Sequence, residues 1–276
     1  MALLAVTYVK GRPGATTTAL GLTATAPESA RAVMVECDPA GGDLMRRHRL
    51  AAVPSVVDLA AAARGAAGAA SPAYPADVFA TATQPVVLRD ATVPVVVAPA
   101  GGAQTRAALP ELTGVGRAVL AAPGRTVVAD CGRLAPGSPV WPLLRLAEVV
   151  LVVARARADE LAHVREHLAE LVDAGAGRVV VLLGAGGLYP AADVADVLAR
   201  HVAEELARDP ASVAVLGPLP HDRRAAAVLG GDLEAGRRWR RLPLMAAYAR
   251  LWADFVPYLP TVAAAQTTDL TRKATR

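Results

Sequence analysis

The chain has 276 residues, 54% of them hydrophobic and 20% charged, with a formal net charge of +4. That much apolar surface excludes a disordered body and supplies a core for one large α/β domain or two small ones. Two cysteines, Cys37 and Cys131, exclude a disulfide scaffold. Met1 to Val9 lacks a basic leader and is too short for a signal peptide, and no apolar run reaches the roughly 18 residues of a membrane span. The expectation is a cytoplasmic protein. Its charge is uneven. Up to Gly230 there are 21 basic and 21 acidic residues, and beyond it 8 basic against 4 acidic.

The first predicted element is a buried strand, Leu3 to Val9. A turn through Gly11 and Gly14 follows, then a helix from Thr16 to Ala26. In a strand, glycine turn and helix start, backbone N–H groups and the positive end of the helix converge on one phosphate. The usual phosphate loop reads G-x-x-x-x-G-K-[ST], its lysine on the terminal phosphates and its Ser/Thr on magnesium. Gly14 and Thr16 fit that pattern, and Ala15 stands in the lysine's place. Lys10 and Lys273 are the only lysines among 29 basic residues. A lysine in this turn therefore stands out, and its slim point charge suits phosphate.

Arg31 to Asp38 reads as a second buried strand, running into Pro39-Ala40-Gly41-Gly42-Asp43. A carboxylate at the carboxyl end of a parallel strand lies where open α/β sheets bind ligands. A turn-capping role for Asp38 is the structural alternative. One short helix is expected between Pro54 and Ala82, around Val56, Val57 and Leu59, with irregular chain after it. Pro85 to Leu88 and Val93 to Pro99 read as strands, and Thr105 to Ala121 as a helix weakened by Pro110 and Gly114. Gly124 to Gly132 is a strand ending in Asp130 and resembles a Walker B strand, a likeness which implies that its carboxylate approaches magnesium through water. Cys37 and Cys131 adjoin these aspartates and read as small apolar fillers.

Glu148 to Val153 is a further strand, followed by a helix from Asp159 to Ala174 with Leu161, Val164, Leu168, Leu171 and Val172 on one stripe. Within it His163-Val164-Arg165-Glu166-His167 formally matches the H-x-x-E-H zinc pattern. Its polar side chains face away from the stripe with no third ligand, so a solvated helix face is expected. A strand from Arg178 to Gly184, a glycine turn and a helix from Pro190 to Ala207 come next. The strand Val213 to Leu216 leads into Gly217-Pro218-Leu219-Pro220-His221-Asp222. Arg237-Arg238-Trp239-Arg240-Arg241 then precedes a helix from Leu242 to Leu259. Three readings of that region stay open: a packed last helix beside a solvated arginine cluster, a membrane contact, and a non-specific DNA patch. Alternating strands and helices give an α/β fold, a doubly wound and mainly parallel sheet with helices on both faces. It forms one domain over residues 1–257, with a disordered tail expected over 258–276.

The pattern K-G-x-x-G-x-T-T, from Lys10 to Thr17, resembles the deviant Walker A loop of the MinD/ParA group of dimeric P-loop ATPases. Glu36 to Leu44 (E-C-D-P-A-G-G-D-L) is similar to that group's D-x-D-P-Q-G-N segment. Gly217 to Asp222 (G-P-L-P-H-D) is similar to its G-x-[IL]-P-x-D loop. Loss of the P-loop lysine resembles the CpaE/TadZ branch, which places Tad pilus machinery. The resemblance implies that Lys10 reaches a partner's nucleotide across a dimer interface. It also implies that Gly11, Arg12, Pro13, Gly14, Ala15, Thr16 and Thr17 cradle ATP, and that Thr16, Asp38 and Asp130 hold Mg2+. Asp38 would orient the attacking water, and Pro218, Leu219, Pro220 and Asp222 would lie against adenine. Departures are Ala15, Arg12 for the second glycine, Glu36 for the first acid, and D-C-G after Asp130 where D-x-P is usual. The implied protein is a Mg-ATP-dependent homodimer with slow hydrolysis, a positioning factor for a secretion or pilus ATPase, recruited to the membrane or a cell pole. A pseudo-ATPase scaffold and a DNA-binding partition protein are the alternatives.

Overall fold

Eight strands form one sheet in the computed structural model, which describes residues 2–11, 13–68, 75–120, 124–174 and 177–255. Arg12 and the tail over 258–276 lie outside the described residues. The strands are β1 (Ala2–Tyr8), β2 (Val33–Glu36), β3 (Gln84–Leu88), β4 (Ala91–Val96), β5 (Thr126–Arg133), β6 (Val149–Arg155), β7 (Arg178–Gly184) and β8 (Val213–Leu216). Their order is β3-β4-β2-β5-β1-β6-β7-β8, and every pairing is parallel except β3 with β4. This is the doubly wound α/β sheet that the alternation of elements predicts.

Because successive side chains of a strand point to opposite faces, each central strand feeds two cores. Leu3 and Ala5 of β1 join Val150 and Val152 of β6 in one, while Leu4 and Val6 join Leu151 and Val153 in the other. The first core is covered by α3 (Val56–Gly68), α4 (Pro75–Ala82), α5 (Ala103–Thr113), α6 (Arg117–Leu120), α7 (Trp141–Leu146), α8 (Ala158–Asp173) and α9 (Ala191–Arg200). The second is covered by α1 (Ala15–Thr25), α2 (Leu44–Arg47), α10 (Arg223–Gly230) and α11 (Pro243–Phe255).

Several expected boundaries move. The Pro54–Ala82 region holds two helices, because Val78, Phe79 and Ala82 bury a second apolar face that Ala-rich composition concealed. The helix expected over Thr105–Ala121 passes Pro110 and breaks at Gly114, leaving α6 as a separate turn. That break suits both residues: Pro110 lies within the last turn of α5, and the Gly114 N–H returns to the Pro110 carbonyl at 2.9 Å. The second strand is shorter than expected, starting at Val33 after Arg31 takes a left-handed conformation.

Candidate functional site

The loops that carry Gly14, Asp38 and Asp130 lie at the carboxyl ends of β1, β2 and β5. Gly14, with φ 89°, turns the chain into α1, whose first residues are Ala15, Thr16 and Thr17. Such a residue position costs a side chain dearly and glycine little. First-turn N–H groups have no intrahelical acceptor and point back at the loop, as an anion cradle requires. Ala15 is 4% exposed and joins the apolar cluster beneath α1, so no cation enters the cradle from that position.

Beyond the loop, three carboxylates crowd together. Asp130 lies at the end of β5, paired in register with Glu36, and is 2% exposed. Burial pushes its carboxyl up to about 7, against a hydrogen bond from the Thr16 hydroxyl, and Glu36 and Asp38 raise it further. The same Thr16 that the phosphate-loop pattern assigns to magnesium therefore lies beside Asp130. Asp38 is raised chiefly by burial, opposed by the Ala40 N–H that it accepts at 2.8 Å. That bond is the turn-capping role, and it leaves the second carboxylate oxygen beside Gly132. A Cβ on Gly132, at φ 60°, would overlap the Asp38 carboxyl, so glycine there lets the two loops touch. The donors are hard oxygens, and Mg2+ takes one or two protein ligands with phosphate oxygens and waters completing its shell. Among the described residues no cluster of three or more His, Cys, Asp or Glu could hold a metal unaided. Thr16, Asp38 and Asp130 thus fit magnesium that arrives with a phosphate, and a cation would relieve the crowding of the carboxylates.

Glu36 has a role that its place in the sequence does not disclose. It is 2% exposed, and it accepts N–H groups of Asp43 at 2.8 Å, Leu44 at 3.0 Å and Ala98 at 2.9 Å. It therefore clasps the loop after β2 to the end of β4. Burial raises its pKa while those three bonds oppose. The thiols of Cys37 and Cys131 are buried and pushed upward by desolvation, which makes them unreactive fillers.

Lys10 is exposed, and its ammonium donates to Nε2 of His163 on α8 at 2.9 Å. The H-x-x-E-H segment thus supplies a partner for the loop lysine, while Nδ1 of His167 engages the His163 carbonyl at 2.9 Å. Neighbouring Gly11, at φ 80°, lies against a pair that sequence reading missed. Glu160 is 1% exposed, pairs with the Arg155 guanidinium and accepts the Arg155 backbone N–H at 2.7 Å. A Cβ on Gly11 would stand 2.8 Å from Glu160 Oε1. The only local signal is an acid early in a helix; its approach to Gly11 depends on tertiary structure.

On the far side, Leu219 is buried and its N–H reaches the Leu183 carbonyl at 2.8 Å, while Pro218 is exposed and Pro220 partly so. Asp222 accepts the N–H groups of Ala225 at 2.9 Å and Leu244 at 3.3 Å, capping α10 and tying it to α11. In the arginine cluster Trp239 is buried and donates to Asp90 at 2.8 Å. Arg240 lies 4.7 Å over the Trp239 ring and pairs with Asp90. Arg237, Arg238 and Arg241 are exposed.

The fold is that of the MinD/ParA P-loop ATPases. A ParA family ATPase from Chlorobium tepidum superposes with a TM-score of 0.66 at 13% identity, over 90% of this chain and 96% of that one. MinD of Pyrococcus furiosus, a cell-division ATPase, gives 0.66 at 16% identity, over 94% and 99%. Septum site-determining MinD of Pyrococcus horikoshii, solved with Mg-ADP, gives 0.63 at 17% identity, over 91% and 93%. No family model matches the sequence, and no curated protein does. Among the described residues no helix is long and apolar enough to cross a membrane.

Proposed function

We propose that this chain binds Mg-ATP at the loop between β1 and α1, dimerises around it, and acts as a positioning or regulatory ATPase of the MinD/ParA kind. The observation that carries the reading is the meeting of Thr16, Asp38 and Asp130 beside a helix start opened by a left-handed glycine. The Mg-ADP bound by the Pyrococcus horikoshii relative supports the choice of ligand. Bound magnesium would neutralise phosphate charge. The backbone of Gly11 to Thr17 would cradle the phosphates, Thr16, Asp38 and Asp130 would hold the magnesium, Asp130 through water, and Asp38 would also accept from the attacking water. Pro218, Leu219 and Pro220 would border the base, with Asp222 fixing their loop through its caps.

With Ala15 in the lysine's place one donor to developing charge is missing, and such a donor commonly contributes a factor of about 10² or more to turnover. Slow hydrolysis follows, which suits a nucleotide-gated switch. The loss of that lysine also favours the CpaE/TadZ type within the group, with a secretion or pilus ATPase as the assembly partner. A scaffold without turnover is the second reading, favoured by the same Ala15. Calorimetric titration with Mg-ATP, with sedimentation of the same samples, separates them. The ATPase reading expects micromolar binding, a dimer with Mg-ATP, and an affinity at least about tenfold weaker in Lys10→Ala. Absence of binding at millimolar Mg-ATP overturns it.

A further inference from the structure

The loop lysine is engaged, and its partner lies outside the loop. Lys10 is a donor only, so Nε2 of His163 accepts, which requires a neutral imidazole carrying its proton on Nδ1. His163 sits one turn beyond Glu160, the residue that touches Gly11, so α8 contacts two consecutive residues of the loop. We propose that His163 is a positioning residue: it holds Lys10 against α8 and outside the phosphate cradle, and nucleotide engagement requires Lys10 to leave it.

This rests on the reading of the loop as an ATP site. Binding to a protein whose competent state is only partly populated is weakened by that fraction. An exposed hydrogen bond of this kind is modest, so removing it tightens Mg-ATP binding about twofold to fivefold. The effect acts through Lys10 alone, which a general change in α8 would not imitate.

The test joins two readouts on the full chain. Imidazole nitrogen NMR reports the His163 tautomer without nucleotide, and calorimetry reports Mg-ATP affinity for wild type, His163→Ala, His163→Gln, Lys10→Ala and the Lys10→Ala/His163→Ala double variant. The expected results are an Nδ1–H tautomer in wild type that is lost in Lys10→Ala, and tighter binding in His163→Ala. His163→Gln, whose amide oxygen still accepts from Lys10, stays near wild type, and His163→Ala has no effect once Lys10 is absent. A tautomer indifferent to Lys10→Ala overturns the inference and leaves the ATP reading standing. So does tightening that persists in the double variant, or unchanged or weaker binding in His163→Ala. If no variant binds Mg-ATP while the tautomer still responds to Lys10→Ala, the ATP reading falls and the gating falls with it.

Discussion

Gly132 shows how a single missing methyl shapes the site. Its backbone is left-handed and a Cβ would strike Asp38, so Gly132→Ala combines backbone strain with a clash. A loss of about 2–4 kcal/mol of stability is expected, read as a lower urea midpoint, with weakened Mg-ATP binding because Asp38 must move. Asp130 makes a second prediction, through protons. Its carboxyl stands at about 7 in the fold against an ordinary 3.8. Between those values the folded chain binds more protons than the unfolded one, so its contribution to stability is full at low pH and fades as pH rises to about 7. Asp130→Asn removes that fade. Wild type therefore loses on the order of 2–3 kcal/mol more than the variant between pH 5 and pH 8, measurable by denaturant titration.

At the scale of elements, α1 joins the site to the core. Gly21 lies on its buried side, where a Cβ would overlap the Tyr248 ring of α11. The Tyr248 hydroxyl stands 3.2 Å from that of Thr18, and Trp252 donates to the Leu22 carbonyl at 3.0 Å. Gly21→Ala should cost about 1–3 kcal/mol by overpacking, visible as a lower thermal midpoint. The strands were legible because β-branched runs such as Val149 to Val153 are buried on both faces and leave no periodicity to mistake. The places of the loop, Asp38 and Asp130 at strand ends were legible from the apolar runs before them. What stayed hidden was what tertiary contact alone creates: the Glu36 clasp, the pair beside Gly11, the caps made by Asp222, and a second helix written in alanine. The H-x-x-E-H segment was read as a solvated helix face, and the contact His163 makes there was not legible. The lysine that His163 accepts from is 153 positions away in the chain.

Over the whole molecule, a ligand that binds only the folded state stabilises all of it. At one hundred times the dissociation constant, Mg-ATP should add about 2.7 kcal/mol and raise the thermal midpoint by a few degrees. ATP with a chelator should not. The composition has one more consequence. Outside the chain's own amino terminus, primary amines occur only at Lys10 and Lys273, and Lys273 lies beyond the described body. Reductive methylation with isotope-labelled formaldehyde would therefore place one reporter among the described residues, at the loop itself. Its resonance would follow the movement of a single side chain between two neighbours with no engineered label.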